Sequence, residues 1–233
     1  MKQVRVLSAL GLLAVAGAAN AGISSTITLT NDYDFRGVSQ SAEDPALQAS
    51  VDYADEKSGW YVGAWGSNVD FGNADLELDL YTGFTGKTDA GLGWDTGFVY
   101  YTYDEDRYNY PEIYAGLSYS FFKGKLSYTN DWGGRDSDGH ASAFYLSADA
   151  NVPLPVTNLS ALGHIGRTVG GHRFDDYTGF GDYTDFSAGV SYKVQKFDLG
   201  LKVVTTDADP KARTDVGNME TRFVFTVATT LPW

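Results

Sequence analysis

The strongest constraint on this chain is a two-residue alternation of apolar and polar side chains, which returns throughout residues 22–233. Neighbouring residues of a β-strand point to opposite faces, so each alternating segment predicts a strand with one apolar face. The last segment is the clearest, because Arg222, Thr226 and Thr230 occupy the polar positions. Its apolar positions hold the predicted membrane-insertion residues Phe223, Phe225, Val227, Leu231 and Trp233.

The alternation predicts twelve strands, with ten and fourteen as open alternatives because the weaker segments are harder to count. Single-chain bacterial barrels have an even number of strands. Most segments have the length of about 9–11 residues that a tilted strand needs to cross a bilayer. Besides the last segment, alternation is strong at 76–84, 92–101, 112–121, 144–152, 186–194 and 197–203, and weaker at 23–30, 46–54, 60–70, 124–132 and 157–168.

The connections between these segments alternate in length, as in barrels that have tight periplasmic turns and longer outer loops. With twelve strands, both termini then belong on the periplasmic side. The predicted short connections are 55–59, 87–91, 122–124, 153–156 and 195–197. The predicted longer ones are 31–45, 105–109, 133–141, 169–182 and 207–218, and the short connection 71–75 is an exception.

The first 21 residues predict a cleaved signal peptide. Lys2 and Arg5 precede an apolar run, and Ala19-Asn20-Ala21 has the small-residue pattern of a cleavage site. The run is shorter than the roughly 20 residues of a membrane-spanning helix. We therefore expect export and a mature chain that begins at Gly22.

Composition excludes several classes of function. The net charge is −13, and without the predicted leader 30 acidic residues face 15 basic ones, so we expect no nucleic-acid partner. The absence of cysteine rules out disulfides, thiolate nucleophiles and cysteine-based metal sites, and we expect no cofactor. Abundant tyrosine and glycine with a slightly negative mean hydropathy suit a barrel with one apolar and one polar face.

A soluble β-sandwich also alternates, but the polar face here bears charges that a sandwich core would not tolerate unpaired. The sequence therefore predicts an all-β fold, a transmembrane antiparallel up-and-down barrel of about twelve strands. Six charged residues of the polar face are the pore-lining candidates: Asp79, Asp95, Glu112, Asp149, Lys202 and Arg222. They predict a constriction that favours cations or zwitterions; the alternative is a set of cross-barrel ion pairs that plug the lumen.

Four segments of the chain, 31–41, 59–71, 76–81 and 111–114, resemble the TorF family of proteobacterial porins. This resemblance implies an outer-membrane barrel with a pore, and it supplies no ligand or functional residue. The last strand also resembles the general insertion signal of outer-membrane proteins. We therefore expect partners in the barrel-assembly machinery, outer-membrane lipid and lipopolysaccharide. Because proline cannot donate to a ladder, strand pairing should stop one residue short of Pro232.

The segment 31–45 has two interpretations. Phe35 and Arg36 could fold inward and narrow the pore mouth, but we favour Tyr33 and Phe35 as girdle residues near the headgroups or as simple loop packing. The loop 169–182 is rich in Gly and Asp, and we expect it to be a solvated loop rather than a cation site.

The function predicted from the sequence is an outer-membrane porin that passes small polar or ionic solutes by diffusion, not an enzyme. His140-Ala141-Ser142 is a His-x-Ser that barrel-embedded lipid hydrolases also use, but no orienting group is evident. A membrane-edge hydrolase and a non-conducting structural or adhesion barrel stay open as alternatives. His164 is expected to be a hydrogen-bonded residue of the lumen wall.

Overall fold

The computed structural model describes residues 22–134, 142–170, 182–208 and 219–233. Twelve strands form a closed antiparallel barrel, in which the first barrel strand pairs with both the next barrel strand and the last one. The barrel strands are β1 Gly22–Thr30, β4 Ala46–Ala54, β5 Trp60–Phe71, β6 Ala74–Lys87, β7 Gly93–Tyr103, β8 Tyr110–Tyr119, β9 Phe122–Thr129, β10 Ala143–Pro153, β11 Leu159–Gly170, β12 Tyr183–Val194, β13 Phe197–Thr206 and β14 Arg222–Pro232. The short strands β2 Asp34–Phe35 and β3 Val38–Ser39 pair with each other, and Asp106–Tyr108 form a 3-10 turn.

The predicted fold class and strand number are confirmed. The predicted leader, and most of the predicted loops 133–141, 169–182 and 207–218, lie outside the described residues. Within the described residues, no helix combines the length and the apolar character needed to cross a membrane.

The alternation places apolar side chains on the outside of the barrel and polar ones inside. On β6, Leu76 and Leu80 are each 52 % exposed, whereas Glu77 and Asp79 between them are almost completely buried. A water-soluble protein buries its leucines, so this distribution is typical of a barrel surrounded by lipid.

The short connections lie at the end of the barrel that carries both chain termini, as predicted. They comprise 55–59, 88–92, 120–121, 154–158 and 195–196. The predicted turn at 122–124 is wrong in position, because β9 already begins at Phe122. Ser120 adopts a left-handed backbone with φ of 56°, which reverses the chain at 120–121.

The terminal strand closes the barrel and pairs further than predicted. Pro232 is in register with Ser24, and the Trp233 N–H donates to the Ile23 carbonyl over 2.9 Å. Backbone groups of successive strand residues point to alternate sides, so the donor that proline lacks would point toward β13. There, pairing has already ended at Thr229. The missing N–H therefore costs no ladder bond.

Tyrosines and glycines interlock on the inner face. The Tyr81 ring covers Gly63 on the neighbouring strand, so that a Cβ there would lie 2.5 Å from the Tyr81 Cε2. Tyr114 covers Gly97 in the same way, with its hydroxyl oxygen 2.5 Å from a Cβ at that position. Glycine leaves room for the ring of the adjacent strand, which explains why the two residue types are abundant together.

A Gly63→Ala variant is expected to lose about 1–3 kcal/mol of unfolding free energy, because the added methyl group overpacks the Tyr81 ring. Gly124→Ala is the control, since its Cβ would meet only the Ser147 carbonyl at an ordinary 3.7 Å. Denaturant unfolding of the refolded barrels measures both values. Equal stability of the two variants would contradict the interlocking.

Candidate functional site

Within the segment 31–45, residues 32–41 fold into the barrel interior and form the β2–β3 hairpin. Its two turn residues, Arg36 and Gly37, have φ of 52° and 83°, as a tight two-residue hairpin turn requires. A Cβ on Gly37 would lie 2.7 Å from the Cβ of Asp185 and 2.5 Å from the Thr206 methyl group. The turn is therefore packed directly against β12 and β13.

Contacts of this hairpin segment reach around most of the barrel wall. Tyr33 packs on Trp65 of β5 with ring centroids 5.3 Å apart, and Phe35 packs on Tyr101 of β7 at 5.7 Å. Arg36 reaches β8, which lies almost opposite β1 in the ring of twelve strands. The segment thus crosses the interior. The girdle interpretation of Tyr33 and Phe35 is wrong, and Phe35 and Arg36 lie inside the barrel.

Ion pairs fix the base of the hairpin to β13 and β14. The Arg222 guanidinium donates to Asp32, to Asp34 Oδ1 at 2.6 Å and to the Gly37 carbonyl at 2.9 Å. Lys202 Nζ donates to Asp34 Oδ2 at 2.8 Å. Burial opposes the charge on Asp34, but Lys202 and Arg222 outweigh it and hold the pKa of that carboxyl below its ordinary value. Lys202 and Arg222 are thus neutralised by the hairpin.

Arg36 lies in a cage of three rings and one carboxylate. Its guanidinium carbon is 4.3 Å from the ring centroid of Tyr145, 4.7 Å from that of Phe35 and 5.1 Å from that of Trp132. Its Nη2 donates to Glu112 Oε2 over 2.5 Å. Burial disfavours the cation, but the Glu112 carboxylate more than compensates and raises the pKa of Arg36.

A strip of carboxylates lines the wall formed by β4 to β7. Hydroxyl groups bind three of them: Tyr81 donates to Asp52, Tyr61 to Asp95 at 2.7 Å and Tyr103 to Glu77 at 2.9 Å. Asp79 is fully buried, and no side chain among the described residues donates a hydrogen bond to its carboxylate. In the described part of the chain, no Lys or Arg forms an ion pair with these four carboxylates, which comprise Asp52, Glu77, Asp79 and Asp95.

On the opposite wall, His164 is bound between two carboxylates. Its Nδ1 lies 2.6 Å from Asp149 Oδ1 and its Nε2 lies 2.8 Å from Asp185 Oδ1. The Tyr145 hydroxyl donates to the Asp185 carboxylate at 3.1 Å, while the Tyr145 ring covers Arg36. His164 is therefore a hydrogen-bonded wall residue, and Tyr145 connects it to the cage. In the ranges that the structure describes, no group of three or more His, Asp or Glu side chains could hold a metal ion.

All six pore-lining candidates lie on the inner face, but in different surroundings. Glu112 binds Arg36, and Lys202 and Arg222 bind the hairpin. Asp79 and Asp95 belong to the carboxylate strip, and Asp149 binds His164. Their role in conduction stays a prediction.

Sequence reasoning missed several charged residues of the interior. Asp52, Glu77 and Asp185 share the inward parity of the residues that were selected, so the alternation alone could have found them. No local pattern identifies Asp32 and Asp34, because their partner Arg222 is 190 and 188 positions away from them in the sequence. Of the His-x-Ser motif, only the exposed Ser142 is within the described residues.

Comparisons with known proteins agree with the fold. A family model described as "Bacterial protein of unknown function (Gcw_chp)" matches residues 14–231. The search of curated proteins finds no significant match. The structure is similar to that of the KdgM porin, with a TM-score of 0.54, 9 % identity and coverage of 89 % of this chain and 98 % of that one. For the NanC porin the TM-score is 0.55, the identity 7 % and the coverage 88 % and 98 %.

At these identities the likeness to both porins concerns the fold alone. It agrees with the barrel that the TorF resemblance implies. The TorF family itself stays a prediction.

Proposed function

This chain belongs to the Gcw_chp family of bacterial proteins, and we propose from its structure that it is an outer-membrane porin for small polar or ionic solutes. The observation that carries the proposal is the closed barrel of twelve strands, which has an apolar exterior and a charged, tyrosine-rich interior. In an outer membrane, lipid would surround the apolar exterior and water would solvate the polar interior. The similarity in fold to two porins supports the same function.

In this proposal, the end of the barrel that carries both termini and the short turns faces the periplasm. The apolar outer band contacts outer-membrane lipid and lipopolysaccharide. The C-terminal strand, with Phe223 and Trp233 exposed on its outer face, is what the barrel-assembly machinery would recognise. No enzymatic activity is proposed, since the described part of the interior holds structural ion pairs rather than an activated nucleophile.

Planar-bilayer recording of the refolded protein tests the porin directly. Discrete conductance steps are expected, and heat-modifiable mobility on a gel verifies that the barrel is folded. A folded barrel that shows no steps in several salts would contradict the proposal. That result would favour the non-conducting structural barrel, for which the hairpin across the interior already provides a specific reason.

The carboxylate strip is expected to make the pore cation-selective, because fixed charges in a narrow, low-dielectric passage attract mobile ions of opposite sign. Asp95→Asn should shift the reversal potential in a KCl gradient toward zero, and Asp79→Asn should shift it less, because the Asp79 carboxylate is fully buried. The control is Asp89→Asn, which removes the same charge from an exposed turn residue. If all three variants behave alike, the strip does not set selectivity.

A further inference from the structure

We propose that the cage around Arg36 is a binding site for solutes that carry a guanidinium group, and that Arg36 occupies it as a tethered ligand. The inference deepens the proposed porin function by naming a class of solute. Aromatic faces and a buried carboxylate together recognise a flat, delocalised cation. The structure shows such a cation in place, within 4.3 Å of the Tyr145 ring centroid and hydrogen-bonded to Glu112.

Two of the four cage residues lie on barrel strands, Glu112 on β8 and Tyr145 on β10, and a third, Trp132, lies in the turn that follows β9. Trp132 is further held by an edge contact with Tyr110, whose ring centroid is 5.6 Å away. When the Arg36 side chain leaves, these groups therefore still face one another, and the Glu112 carboxylate, 1 % exposed, is left without its cation. A buried unpaired charge strongly favours a replacement ligand.

Arg36 can leave without undocking the hairpin. The hairpin is fixed through Asp32 and Asp34 to Lys202 and Arg222, and these contacts do not involve the Arg36 side chain.

A second carboxylate adjoins the cage. Asp79 is in register with Tyr101, and the Tyr101 hydroxyl is 3.5 Å from Glu112 Oε1. The Asp79 carboxylate is buried, and no side chain among the described residues donates a hydrogen bond to it. A solute with a guanidinium and a second cationic group thus finds one carboxylate in the cage and another beside it, whereas Arg36 can use only the first.

The tethered arginine competes with any free solute, because a side chain on a short linker has a high effective concentration. In the wild-type protein, affinity for a guanidinium solute is reduced by the fraction of time that the cage is empty. Removing the side chain should reveal the full affinity. We therefore predict that removing the Arg36 side chain makes guanidinium solutes bind more tightly, although the mutation adds no new contact to the cage.

Titration calorimetry of the refolded, detergent-solubilised barrel with agmatine tests the site, independently of conduction. Arg36→Ala is expected to bind agmatine at least about tenfold more tightly than the wild type. Adding Glu112→Gln to that variant should remove most of the gain. The urea analogue of agmatine, which keeps the charged amine but has a neutral ureido group in place of the guanidinium, should bind Arg36→Ala much more weakly than agmatine does. Lys193→Ala is the matched control, since it removes an inward cation that pairs with Asp198 away from the cage.

The inference is overturned if Arg36→Ala and Lys193→Ala bind agmatine equally, or if the urea analogue binds as well as agmatine. Should Arg36→Ala fail to fold, Arg36→Gln and the single Glu112→Gln variant provide the same comparison. Binding by a barrel that does not conduct would refute the porin and keep the site. Conduction without agmatine binding in Arg36→Ala would keep the porin and refute the site.

Discussion

An Arg222→Met variant is expected to release the β2–β3 hairpin from the barrel wall and to raise the unitary conductance in planar bilayers. The Arg222 side chain is 5 % exposed and donates to Asp32, Asp34 and the Gly37 carbonyl. Without it, the buried Asp32 carboxylate has no cationic partner among the described residues. Removing one partner of a buried ion pair typically costs about 3–5 kcal/mol.

This cost is expected to fall on the docked hairpin rather than on the barrel, because undocking lets Asp32 and Asp34 reach water. Amide hydrogen exchange at residues 34–39 measures it directly. An opening free energy lower by about 3–5 kcal/mol corresponds to exchange that is faster by roughly 10²–10⁴-fold. Exchange in the barrel strands should change much less.

Arg167→Met provides the control for the loss of one arginine. Arg167 is 43 % exposed, and its nearest carboxylate oxygens, on Asp182 and Asp207, are both 3.8 Å away. Exposed pairs of this kind contribute about 0–1 kcal/mol, so conductance and hairpin exchange should stay close to wild type. If Arg222→Met behaves like Arg167→Met, the hairpin is not held by this ion pair.

The barrel was predictable from the sequence because strand alternation is a local signal. Asp79 and Lys202 could be assigned to the inner face from the parity of their neighbours alone. The strand count followed from the same signal, and the positions of the termini followed from the alternating lengths of the connections. These inferences do not depend on knowing which residues meet across the barrel.

The hairpin was not predictable in this way, because its position depends on partners that are distant in sequence. Asp34 contacts Arg222, which is 188 positions away in the sequence, and no periodic pattern indicates such a contact. Tyr33 and Phe35 follow the end of a strand. At such a position an aromatic side chain suits both the membrane girdle and an inward-packed loop, so the residue type does not distinguish the two. Arg36-Gly37 does fit a two-residue turn, but a turn signal does not tell on which side of the wall the hairpin lies.

A Leu80→Arg variant is expected to lose about 2–4 kcal/mol of unfolding free energy in phospholipid vesicles, the cost of an arginine at the bilayer midplane. Leu80 lies in the middle of β6 and points outward, where the proposed membrane location requires lipid. Leu76 on the same strand is equally exposed at 52 % and points the same way. It lies four residues closer to the strand end, about 13 Å along the strand.

Leu76→Arg is therefore the matched control, with an expected loss of only about 0–1 kcal/mol near the interface. The substitution, the strand and the exposed fraction of the leucine are the same at the two positions. A difference in the loss of unfolding free energy therefore reports the depth of each position in the membrane. A β-structure in water would place both leucines in the same solvent, and both substitutions would stay within about 0.5 kcal/mol of wild type. Equal costs at the two positions would thus refute the membrane location, whatever the lumen conducts.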